Sequence, residues 1–82
     1  MFYKCKCCGF YALPEESGGS DNICPICYWQ DDFVQLKDSA FEGGANKVSL
    51  NQARKNYVLF AASEERFIGN VRKPRYHERP EN

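Results

Sequence analysis

Lys4-Cys5-Lys6-Cys7-Cys8-Gly9 and Cys24-Pro25-Ile26-Cys27 decide how this chain folds. Cys5 with Cys8 and Cys24 with Cys27 form two C-x2-C pairs, separated by the 15 residues of 9–23. That is the spacing of a four-thiolate zinc site. A C-x2-C turn points two sulfurs the same way, and the turn's amides, Gly9 among them, are expected to soften the charge on sulfur. Pro25 pre-sets φ for the second turn, and Gly9 tolerates the left-handed conformation that closes the first.

Working outward, the chain of 82 residues makes one small domain, in which core burial barely offsets the entropy of ordering the backbone. A chain of this size commonly needs a staple. A structural Zn²⁺ supplies about 10–16 kcal/mol in apparent terms, so one structural zinc on Cys5, Cys8, Cys24 and Cys27 is expected to decide folding. Disulfides are the rival use of the thiols. Five cysteines would leave one over, and Met1-Phe2-Tyr3-Lys4 lacks the apolar stretch of a secretion signal. No apolar run approaches a membrane span. The reading is a cytoplasmic protein with reduced cysteines and no membrane partner. Cys7 in place of Cys8 would shrink the first pair to C-x-C, so Cys7 is expected as a bystander thiol inside the turn.

The expected fold is small α+β: a zinc-ribbon β-hairpin carrying two C-x2-C knuckles, then a C-terminal α-helix and a short helical turn. Phe2-Tyr3-Lys4 enters the first knuckle and Phe10-Tyr11-Ala12-Leu13 leaves it, with Phe10 and Tyr11 on opposite faces. A polar Gly/Ser loop spans 14–22. Residues 33–36 read as a further short strand, and 37–47 as irregular with a bend at Gly43-Gly44. Ser49-Leu50-Asn51-Gln52 has the form of a capping box, starting a helix to about residue 61. Its core stripe is Leu50, Ala53, Tyr57, Phe60 and Ala61, with Leu59 opposite. Ser63-Glu64-Glu65-Arg66-Phe67 opens a second helical turn, stopped by Gly69-Asn70. The domain covers 1–75, and 76–82 reads as a flexible tail. His77 reads as a surface residue.

Lysines and arginines equal aspartates and glutamates at 11 each, which argues against binding nucleic acid by bulk charge. The charges are segregated. Glu15, Glu16, Asp21, Asp31, Asp32, Asp38 and Glu42 face only Lys37 in the middle third, and Arg66, Arg72, Lys73, Arg75 and Arg79 dominate the end. Asp31 and Asp32 point opposite ways in an extended segment, so they read as loop acids or a turn cap and not as an acid–base pair. Trp29 reads as a core residue roofing the metal site, with an interface anchor as its rival role.

These motifs resemble the bacterial CPCC cysteine-rich family: Cys5-Lys6-Cys7-Cys8-Gly9-Phe10, Cys24-Pro25-Ile26-Cys27-Tyr28-Trp29-Gln30-Asp31-Asp32, Glu42-Gly43-Gly44-Ala45-Asn46, Ser49-Leu50 with Ala53-Arg54 and Asn56-Tyr57, and Val71-Arg72-Lys73-Pro74. The resemblance covers about residues 4–75. Lys6 replaces the proline that names the family and Gln30 a common glutamate. Neither change removes a presumed ligand. The resemblance implies a small zinc-binding protein, and the genomic setting of such relatives suggests immunity against a toxin. The cysteine turns alone also resemble rubredoxin, with Tyr28 in the place of its second glycine.

Three functions follow as expectations. The first is a non-enzymatic protein-binding module, most concretely an immunity protein that neutralises a toxin enzyme encoded by the neighbouring gene. Its candidate contacts are Tyr28, Trp29, Asp31, Asp32, Phe33, Asp38, Phe41 and Glu42. The second is a nucleic-acid-binding zinc ribbon using the C-terminal cations. The third is a rubredoxin-like iron electron carrier. A catalytic zinc keeps one position open for water, which four cysteines would close, and no nucleophile–base pair stands out.

Overall fold

Two strands, β1 (Tyr3–Lys4) and β2 (Tyr11–Leu13), pair antiparallel across the first cysteine turn. The structure is a computed structural model and describes residues 2–80. The ladder is not regular: Tyr3 faces Leu13 and Lys4 faces Tyr11, so Ala12 is an extra residue on β2. Such a bulge breaks the in–out alternation of a strand. Ala12 and Leu13 are therefore both buried, while Tyr3, Lys4 and Tyr11 are all exposed. Phe10 turns inward and meets Tyr57 edge-on, with ring centroids 6.1 Å apart.

The second cysteine turn has its own small ladder. Ile23 bridges Gln30, Asp21 N donates to Asp31 O at 3.0 Å, and Asp31 N donates to Asn22 O at 2.9 Å.

Residues 33–36, expected as a strand, instead begin α1 (Phe33–Lys37). The Asp32 carboxylate accepts from Gln35 N at 3.0 Å and satisfies an amide left orphaned at a helix start. That cap selects helix over strand. Gln35 sits fully buried, at 0 % exposure, and holds the following loop. Its Nε2 donates to the carbonyls of Phe41, Asn46 and Val48 at 3.0, 3.1 and 2.9 Å. Its Oε1 accepts from Asn46 N at 3.1 Å and Asn46 Nδ2 at 2.9 Å. The side chain of Asn46 then pairs with Gln30 like a strand, accepting from its N and donating to its O, both at 2.9 Å. A Cβ on Gly44 would lie 3.0 Å from Asp32 Oδ2 and from Gln35 Cδ and Oε1, so the bend there needs glycine for space.

α2 (Leu50–Phe60) starts as expected, with Ser49 Oγ accepting from Gln52 N at 3.1 Å. Only half of the capping box forms; the Gln52 side chain turns forward along the helix, its Nε2 donating to Asn56 Oδ1 at 2.9 Å. Of the predicted stripe, Leu50 and Ala53 are buried and Tyr57 and Phe60 half-buried, but Ala61 is exposed. It ends the helix in the left-handed region at φ 61°. Asn56 takes its place in the interior, donating to Ser63 O at 2.8 Å. Leu59 is exposed, as expected, and so is Val58.

The later helical turn is a 3-10 helix, Glu65–Asn70. Tyr76–Glu78, expected in a tail, form another 3-10 turn that lies against β2. Glu78 is buried and bound by the two terminal guanidinium nitrogens of Arg72, at 2.7 and 2.9 Å, and by Arg75 N at 2.7 Å. A bidentate pair of this kind holds geometry as well as charge. Arg79 and Pro80 follow as exposed residues, and residues 81–82 of the expected tail lie outside the described residues. The core collects Ala12, Leu13, Ile26, Trp29, Leu50 and Ala53 around the cysteines, each large aliphatic side chain contributing about 1.5–3 kcal/mol.

Candidate metal centre

Both cysteine turns close by the same pair of backbone bonds. In the first, Gly9 N donates to Cys5 O at 2.8 Å and Cys5 N to Phe10 O at 2.9 Å. In the second, Tyr28 N donates to Cys24 O at 2.8 Å and Cys24 N to Trp29 O at 2.9 Å. The turn requires a left-handed residue after its second cysteine. Gly9 supplies it at φ 84°, and Tyr28 is held there at φ 70°, a conformation that costs a non-glycine residue about 1–2 kcal/mol. Contact with Phe67, at 4.6 Å between ring centroids, offsets part of that cost.

The two knuckles bring Cys5, Cys8, Cys24 and Cys27 together, with all four sulfurs within 4.8 Å of one another. Cys5 Sγ lies 3.6 Å from Cys27 Sγ, and Cys8 Sγ 3.7 Å from Cys24 Sγ. A tetrahedral ion with metal–sulfur bonds of about 2.3 Å sets its sulfurs about 3.8 Å apart. The separation exceeds that of a disulfide, about 2 Å, and all five cysteines are free thiols. The donor set fits a metal ion. Among the described residues this is the one group of cysteine, histidine and acidic side chains so placed.

Electrostatics agree with that reading. The four sulfurs act on one another's protonation. Hydrogen bonds from Cys27, Cys5 and Cys8 hold Cys24 well below the ordinary thiol value. Cys8 and Cys27 are pushed well above it, first by their bonds to Cys24. Thiolates packed this closely repel one another, and a cation held among them would offset that repulsion. Backbone amides help: Ile26 N donates to Cys24 Sγ and Trp29 N to Cys27 Sγ, both at 3.4 Å. The Gly9 amide, expected to point at sulfur, is instead spent on the Cys5 carbonyl. The Tyr57 phenol is pushed up to about 12, first by burial and then by the neighbouring sulfurs. Cys7 is buried in the core beside the cluster but is not one of the four.

The C-terminal half grips both knuckles from outside. Arg54 Nε donates to Lys6 O at 2.9 Å. Ser63 N donates to Cys27 O at 2.7 Å and Arg72 N to Pro25 O at 3.2 Å.

The candidate contact residues divide by burial. Trp29 is 4 % and Asp31 3 % exposed. Trp29 lies in the core, and Asp31 anchors the Gly/Ser loop. Its carboxylate accepts from Ser17 Oγ and Gly18 N at 3.0 Å, Gly19 N at 3.1 Å, and Ser20 N and Oγ at 2.9 and 2.8 Å. Burial alone would raise Asp31, but these bonds outweigh it and hold it below the usual carboxylate range. Tyr28 and Asp32 are half-buried, with Asp32 committed to Gln35 and Ala45. Phe33, Asp38, Phe41 and Glu42 are exposed, joined by Val34, which sequence reading did not single out. Of the C-terminal cations, Arg66 is paired with Glu64 at 2.8 Å and Arg72 with Glu78 at 2.7 Å. His77 is exposed, as expected. Among the described residues no helix is long and apolar enough to cross a membrane.

The sequence matches the family described as Cysteine-rich CPCC over residues 3–78, and the chain belongs to that family. No curated protein matches it.

Proposed function

We propose that this member of the cysteine-rich CPCC family holds one structural zinc and works as a protein-binding module, with no catalysis of its own. The four-thiol set supports the first half: it is soft, tetrahedral in spacing and complete, leaving no position for a reactive water. Thiolates suit iron as well as zinc, so metal analysis decides. A colourless protein with one equivalent of zinc is expected, and a red protein containing iron would replace this reading with an electron carrier.

The surface around α1 carries the second half. Phe33, Val34 and Phe41 are 57, 50 and 41 % exposed, bordered by the exposed acids Asp38 and Glu42. Large aromatics left in water on a scaffold fixed by Asp32 and Gln35 are the composition of a binding anchor, and the acids favour a basic partner. Blocking a toxin enzyme encoded by the neighbouring gene is the most concrete form of that activity. The test is co-expression of the two products with purification through a tag on one. A complex weakened at least about 30-fold by Phe33→Ala or Phe41→Ala, the loss of one hot spot, supports the proposal. No complex, together with no protection of growth, removes it.

A further inference from the structure

The β-bulge at Ala12 has a consequence on the opposite side of the hairpin. Ala12 and Leu13 are both buried at the bulge, while Tyr3, Lys4 and Tyr11 are all exposed. With Lys6, Glu16 and Ser17 they line a cleft of about 210 Å³. Bulges are found beside functional sites because they re-aim side chains in this way. Among the described residues neither Lys4 nor Lys6 is in an ion pair; the pairs that form use Arg66 and Arg72. The Ser17 hydroxyl is committed to Asp31, which fixes that wall.

We infer that this cleft binds a nucleotide, free or as one unit of a single strand, through phosphate on Lys4 and Lys6 and a base laid against a tyrosine ring. Two ammonium groups call for an anion, and two phenol rings call for a planar partner. A nucleotide offers both, and stacking on aromatics beside a cationic track is how unpaired bases are held. Inorganic phosphate satisfies the lysines alone, and an acidic peptide leaves the rings unused. Glu16 disfavours a bare anion and accepts from a ribose hydroxyl or a base amine. The balanced net charge limits the site to a local interaction of about two phosphate contacts, not a tract along a strand.

The test is calorimetric titration of the metal-loaded protein at low salt with an adenine mononucleotide, a short oligothymidylate and inorganic phosphate. Nucleotide binding that exceeds phosphate binding supports the inference. Tighter binding of the oligonucleotide identifies a single strand as the source, and equal or tighter binding of the mononucleotide identifies the free form. Neutralising both lysines (Lys4→Gln with Lys6→Gln) should abolish binding. Tyr3→Ala and Tyr11→Ala together should weaken it by roughly 5- to 150-fold, the value of one base stack. With two single-strand phosphates engaged, oligonucleotide affinity should fall about 7-fold between 50 and 200 mM salt. Each variant is checked for unchanged metal content and amide spectrum. No nucleotide binding, phosphate binding as tight as nucleotide binding, or affinity indifferent to these substitutions in a folded variant overturns the inference.

Discussion

Replacing Gln35 by leucine changes shape little but deletes every partner that Gln35 offers. Five hydrogen bonds disappear. The carbonyls of Phe41 and Val48 lie on exposed and half-buried residues, where water can replace the lost donor. Asn46 Nδ2 keeps its bond to Gln30 O. That leaves the Asn46 backbone N–H and C=O, whose bonds to Gln35 are buried. Each costs about 1–3 kcal/mol when unsatisfied, so Gln35→Leu should destabilise by about 2–6 kcal/mol. Urea denaturation at saturating zinc measures it, and hydrogen exchange should show the loss concentrated in residues 38–48. A change within about 0.5 kcal/mol, the range of an ordinary surface substitution, would refute the role assigned to Gln35. Gln35→Glu is a sharper control. With one oxygen facing three carbonyls, its carboxyl is expected to hold its proton in the folded state, so urea denaturation should show this variant gaining stability as pH falls and losing it as pH rises.

Removing the ion with a chelator should unfold the knuckles and release the packing of α2, read by circular dichroism; a folded, metal-free chain would contradict a stabilisation of about 10–16 kcal/mol. Tyr28→Val should cost about 2 kcal/mol because a β-branched residue resists the left-handed region, whereas Tyr28→Gly should stay within about 1 kcal/mol of the parent, relieved backbone offsetting the lost Phe67 contact; equal losses for the two would deny the backbone argument. Gly44→Ala should destabilise by about 1–3 kcal/mol through overpacking against Asp32 and Gln35, and a neutral effect in thermal melts would show that those side chains can yield. Glu78 is held near 2, below its ordinary 4.5, chiefly by the bond to Arg72. A depressed acid stabilises above its unfolded value and loses that contribution as pH falls through the folded one. The stability gap between the parent and Glu78→Gln should therefore be full above about pH 4.5 and shrink toward pH 2; a gap independent of pH would sink the ion-pair account.

What could be read from the sequence was local. A C-x2-C turn closes within six residues, so cysteine spacing alone placed four sulfurs together. The start of α2 was equally near at hand, in a serine three residues before a glutamine. What escaped was settled at a distance. Residues 33–36 have a strand's composition, and only the Asp32 cap and Gln35's grip on residues 41–48 make them helical. Asp31 carries no local sign that four residues of a loop more than ten positions away converge on it. Glu78 looked like part of a tail because its partner, Arg72, precedes a proline in an extended segment and has no periodic relation to it.

The bonds from Arg54, Ser63 and Arg72 end on main-chain carbonyls of the cysteine turns and on no sulfur. On the proposed reading the two turns set around one shared ion, and the landing sites for the back half form with them. On that reading, metal capture and completion of the molecule are one event. A cell short of the ion would hold a loose chain and not a weakened version of the finished protein.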